Sequence, residues 1–135
     1  MRRPLLAALP CLLWSALTLA ADPPTVQAWP QQDPPAPGYA VLNITRMGLQ
    51  SGNACDIDLY VRGELLTRLQ PDGSVALNLT PGEVPIRLAT ASTGACRDGM
   101  QQLQTQTLKL RAGEIRSYRV GFRESGYFLT PINTP

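Results

Sequence analysis

The chain has 135 residues, with twelve basic and ten acidic side chains, three cysteines, thirteen prolines and no histidine. That length suits one small domain, and the lack of histidine removes Ser-His-Asp and Cys-His nucleophilic machinery along with the commonest zinc ligand. Two of the basic residues, Arg2 and Arg3, fall in an N-terminal export signal. Without them the charges balance, and a formally neutral domain has no electrostatic footprint for nucleic acid or anionic lipid.

Met1-Arg2-Arg3 forms a short positive n-region and Leu5 to Leu19 a leucine-rich h-region. Thr18-Leu19-Ala20-Ala21 supplies the small residues that a signal peptidase accepts. Residues 1–21 therefore read as a signal peptide cleaved after Ala20 or Ala21. The apolar run contains Pro10 and falls short of the roughly twenty residues needed to span a bilayer, so no integral membrane span is expected after cleavage. Cys11 leaves with the signal, and Pro10 directly before it argues against a lipidation site. The expected location is periplasmic or secreted. Cys55 and Cys96 remain as an even pair, and export favours a disulfide between them.

Residues 22–38 hold six prolines, which remove ladder donors and favour extended chain, so this segment reads as a linker. Trp29 in its middle could dock on the domain or on a partner. The domain proper is expected over 39–135.

Tyr39 to Met47 reads as a first strand. In a second, Ile57, Leu59 and Val61 share one face while Asp56, Asp58, Tyr60 and Arg62 share the other. Arg62-Gly63-Glu64 turns the chain into a short strand, Leu65 to Leu69. Pro71-Asp72-Gly73 is a turn in which proline fixes one φ and glycine is expected to supply a positive one. Val75, Leu77 and Leu79 alternate with Ala76 and Asn78 in a fourth strand. Pro81-Gly82 turns into a fifth, carrying Val84, Ile86 and Leu88, where Pro85 suggests a sheet edge or a strand start. Ala91 to Gly99 is loop by composition, and Met100 to Leu110 a polar strand. Arg111-Ala112-Gly113 turns into Ile115 to Arg123, with Tyr118, Val120 and Phe122 on one face, and Tyr127 to Ile132 closes the domain. Seven or eight short strands without a helical period predict an all-β, antiparallel β-sandwich or small barrel. The expected core is Ile57, Leu59, Val61, Val75, Leu77, Leu79, Ile86, Leu88, Tyr118, Val120 and Phe122; Asp58, Arg62, Asn78 and Arg87 are expected to face out.

The segment V-R-G-E-L-L-T-R-L-Q-P-D-G-S-V-A-L-N-L-T-P-G-E-V-P-I-R-L, with the later R-A-G-E-I-R-S-Y-R-V, resembles PEGA-type and DUF2846-like β domains of bacterial envelope proteins over roughly residues 56–124. Arg62 stands where PEGA sequences usually have aspartate. The resemblance implies a small exported sandwich, and carries over no catalytic residue.

The residues offer two candidate binding surfaces. Arg119 and Arg123 share one face of their strand, with Arg116 on the other, and suit an anion or a glycan. Asp56 and Asp58 stand at i and i+2 on one strand face. Alone they fall short of the about six to eight oxygens a hard cation takes and of the two carboxylates across a cleft that glycosidic chemistry needs. Asn43-Ile44-Thr45 and Asn78-Leu79-Thr80 match the glycosylation pattern, but by chance within strands. No catalytic residue, metal or cofactor is expected. The function expected is that of an envelope accessory acting by non-covalent binding or as a structural module, with an envelope protein or glycan as partner. The alternative is a secreted inhibitor or regulator of a hydrolase using an exposed loop, Gly48 to Ala54 or Ala91 to Gly99.

Overall fold

A computed structural model describes residues 23–47, 55–92, 96 and 105–133. The residues read above as a signal peptide (1–21), the candidate loop Gly48 to Ala54, most of Ala91 to Gly99 and the first half of the expected strand from Met100 lie outside the described residues. Every regular element described is a strand: β1 (Thr25–Gln27), β2 (Ala40–Thr45), β3 (Ile57–Val61), β4 (Glu64–Leu69), β5 (Ser74–Leu79), β6 (Gly82–Thr90), β7 (Gln106–Leu110), β8 (Ile115–Arg123) and β9 (Gly126–Pro131). They form two sheets, ordered β1-β5-β2-β8-β9 and β4-β3-β6-β7. The all-β sandwich expected from the alternating pattern is the fold observed. One ladder, β2 with β8, is parallel; the others are antiparallel.

Turn chemistry routes the chain between the sheets. Arg62 and Gly63 both take positive φ, 52° and 85°, the geometry of a two-residue hairpin turn whose twist matches that of its strands, β3 and β4. The turn after β4 crosses to the other sheet. Here the positive φ belongs to Asp72, at 56°, and not to Gly73. Glycine is required at 73 for a different reason, because a Cβ there would stand 2.8 Å from the Gln70 carbonyl oxygen that accepts the Gly73 N–H.

The inner faces of the sheets meet in one apolar core. Ala40, Leu42 and Ile44 of β2 lie beside Leu79, Leu77 and Val75 of β5 and face Ile57, Leu59, Val84 and Ile86 of the other sheet, all buried. Ten of the eleven side chains expected inside are buried. Phe122 is the correction, 45% exposed. It lies at the hairpin end of β8, next to the turn into β9, where its ring leans on Tyr127 at 5.2 Å between centroids. Asp58 corrects the opposite way. It is buried, because the Arg68 guanidinium of the neighbouring strand lies across it and its Nε donates to the Asp58 carboxylate at 2.6 Å. That carboxylate in turn holds Arg68 above the ordinary guanidinium pKa.

Pro85 is inside β6, which is flanked by β3 and β7. It is tolerated because the β3 ladder ends one residue away, at Val61 paired with Ile86. The Pro85 carbonyl accepts the Arg62 N–H of the β3–β4 turn at 2.9 Å, and with the ladder ended at Val61 the missing N–H costs no further ladder bond. Cys55 and Cys96 are bonded, with Cα atoms 5.8 Å apart, just beyond the Ile57–Thr90 end of the β3–β6 ladder. In the chain-entropy account a closed loop of this size stabilises by about 4 kcal/mol.

The linker reading is corrected within 22–38. Thr25–Gln27 pairs with β5 as the edge of the five-stranded sheet. None of the three residues is proline, so the ladder donors that the surrounding prolines lack are present here.

Two outcomes follow for stability. Leu77→Ala, which empties a fully buried site between β2 and β1, should cost about 2–5 kcal/mol in denaturant unfolding, and Asn78→Ala on the opposite face under about 1 kcal/mol; equal losses would refute the register. Deleting residues 22–37 should lower the melting temperature, since it removes the β1 ladder; an unchanged temperature would show the arm to be separable.

Candidate functional site

The outer face of the five-stranded sheet carries the first of the two expected surfaces. Side chains of odd-numbered β8 residues point outward, opposite to buried Tyr118 and Val120. Arg119 and Arg123 therefore share this face. Between them Gly121 pairs with Phe128 across the β8–β9 ladder, and the ring lies on the glycine so closely that a Cβ at 121 would come 2.5 Å from it. Arg123 stacks on the same ring, its guanidinium carbon 3.7 Å from the centroid. A guanidinium held over an aromatic face keeps its edge N–H groups available while its carbon plane is covered. Arg119 has no ion-pair partner among the described residues.

Arg116 is on the other face, as expected. Its guanidinium lies 5.3 Å from the Tyr118 ring, 3.6 Å from the Glu114 carboxylate, and donates to the Lys109 carbonyl at 3.2 Å. Burial pushes the Tyr118 phenol above its ordinary pKa, with nearby Arg116 opposing the shift.

On the second expected surface, Asp56 and Asp58 both stand near Arg68. Asp56 precedes β3, and Asp58 is consumed by Arg68. Among the described residues no group of three or more His, Cys, Asp or Glu side chains is placed to hold a metal.

The structure adds a feature that strand alternation could not supply. The proline-rich arm crosses the outer face of β2 at Asn43, where the Gln31 N–H donates to Asn43 Oδ1 at 3.2 Å and Asn43 Nδ2 donates to the Gln31 carbonyl at 3.1 Å. Arm, β2, β8 and the chain after β9 enclose an open groove of about 660 Å³. A second hollow, of about 360 Å³, shares Pro131, Ile132 and Asn133 with it and reaches Arg119. The only sequence signal for this groove is the amide-rich Q-Q within the arm, which proline content overshadows.

A third hollow, of about 280 Å³, opens between β7 and β9 beside Arg123. There the Gln106 side chain imitates a neighbouring strand: Leu129 N–H donates to its Oε1 at 2.9 Å and its Nε2 donates to the Leu129 carbonyl at 3.0 Å.

No helix among the described residues is long and apolar enough to cross a membrane. No protein-family model and no curated protein sequence matches the chain, so the PEGA-type and DUF2846-like resemblance extends no further than a small β domain. Among solved structures, the chain is similar to the N-terminal domain of AlgF from P. aeruginosa, at 17% identity and a TM-score of 0.44, over 73% of this chain and 98% of that one.

The Tyr118 shift fixes a direction with pH. A folded-state pKa raised above the unfolded value near 10 gives a contribution that is full below that value and lost as pH rises through the folded pKa. The stability of the protein should therefore fall on the alkaline side, and Tyr118→Phe should flatten that limb in melting curves taken from neutral to alkaline pH. An unchanged limb would assign it to other groups.

Proposed function

We propose that the protein is an exported accessory of the bacterial envelope that works by non-covalent binding through the outer face of β8 and β9. The observation that carries this reading is the pair Arg119 and Arg123 on one exposed strand face, the first without an ion-pair partner and the second fixed on Phe128. Arginines held this way meet a carboxylate or phosphate in two-pronged fashion at little further ordering cost. The Cys55–Cys96 bond supports an oxidising compartment. Turnover is not part of the reading, because a chain without histidine offers no ordinary base for a serine or cysteine nucleophile.

The test is capture of partners from envelope extract by the purified protein. Arg119→Ala with Arg123→Ala should abolish capture while the melting temperature stays within a few degrees of the parent. Retained capture would discard this face and favour the inhibitor reading through a loop. Hydrolysis of an envelope polymer, lost on changing one named residue, would overturn the binding reading altogether.

A further inference from the structure

The groove beside that face has walls of a particular chemistry. Gln31, Asn43, Ser117 and Asn133 line it, so its polar groups are mainly neutral amides and a hydroxyl, which both donate and accept. The adjoining hollow adds Arg119. Neither hollow is lined by any Asp or Glu, and the other arginine on the wall, Arg116, is already engaged by Glu114 and Lys109. The combined lining is therefore hydrogen-bonding along its length and cationic at one end.

The floor decides between ligand classes. β2 is hydrogen-bonded to β5 and β8, and β8 to β2 and β9, so the backbone under the groove is used up and an extended peptide cannot join by strand addition there. Only side chains are on offer. Amides that donate and accept are matched by a ligand whose hydroxyls do the same, and an exposed guanidinium by a carboxylate. Gln31 Oε1 strengthens the case, being buried at the groove wall with no hydrogen-bond donor. An acceptor buried unpaired is costly, and turning the amide toward a ligand hydroxyl removes that cost. The turn leaves the arm in place, because Gln31 binds Asn43 through its main chain.

We infer that the groove between the arm and β8 binds an acidic oligosaccharide, its hydroxyls meeting Gln31, Ser117 and Asn133 and a carboxylate meeting Arg119. This rests on the binding reading above and names the ligand class. The experiment is calorimetric titration of the purified protein with three probes: hexagalacturonate, maltohexaose and sodium sulfate. Hexagalacturonate alone should give saturable heat. Arg119→Ala and Gln31→Glu should each weaken it about tenfold or more, the first by removing a charge-assisted pair and the second by placing a negative charge on the wall. Gln31→Leu should weaken it several-fold, and unchanged melting temperatures will show that the variants fold. Equal binding of maltohexaose would overturn the acidic assignment, and equal binding of sulfate would reduce the site to a simple anion contact. No heat with any probe would overturn the inference while partner capture lost on replacing Arg119 and Arg123 left the broader reading standing.

Discussion

The structure depends on the burial of β2 from both sides. All six of its residues are buried, which a two-layer sandwich does not provide, since one face of each sheet normally meets water. The inner residues Ala40, Leu42 and Ile44 are covered by the opposing sheet. The outer residues include Asn43, whose amide cannot be closed off from water without partners. The arm supplies both partners at Gln31, and Thr45 accepts hydrogen bonds from Ser74 Oγ at 2.7 Å and the Met47 N–H at 3.2 Å. A segment that composition marks as a spacer thus satisfies the central strand. It also creates the groove, because a chain laid across a sheet face leaves a channel along each of its flanks.

Strand edges are handled separately. β1 is only three residues long. At β9 the outer edge is blocked by Gln106, whose side-chain amide takes both main-chain groups of Leu129, and two residues on, Pro131 has no donor to offer. Short edges, proline and a capped ladder all discourage pairing with another chain. An external partner is therefore directed to side-chain surfaces and away from the rims of the five-stranded sheet.

Much of this was legible in the sequence, and the parts that were not share a cause. Period-two alternation located β3, β5, β6 and β8 and their inward residues, because that pattern is imposed locally by the pleat. It says which side a residue faces, but not what covers that side. Asp58 faces outward and is still buried, since Arg68 lies over it; Phe122 faces inward and is exposed, since it stands at the hairpin end of β8. The turn at Pro71 was placed correctly but with its positive φ on the wrong residue, since Asp72 tolerates the left-handed region and frees Gly73 for the close approach to Gln70. The Cys55–Cys96 bond was legible from compartment and parity. The groove was not, because it arises between segments far apart in sequence.

The same distinction governs the electrostatics. A net charge of only +2 gives little broad attraction to polyanions, yet it does not describe where the charges stand. On the four-stranded sheet two carboxylates are neutralised in place: Asp58 by Arg68, and Glu83 by Lys109 at 3.8 Å across the β6–β7 ladder. Arg87 there is laid on the Tyr60 ring, 3.8 Å from its centroid. On the outer face of the other sheet, Arg119 has no carboxylate opposite it, since its ladder neighbour is Thr130, and Arg123 has Phe128. Among the described residues Arg62 and Arg111 also have no carboxylate partner, but Arg119 is the one that reaches the hollow beside the groove. A surface organised this way attracts anions only weakly at long range and selects at contact, where a guanidinium that must be desolvated is repaid only by a ligand presenting its own charge at that position.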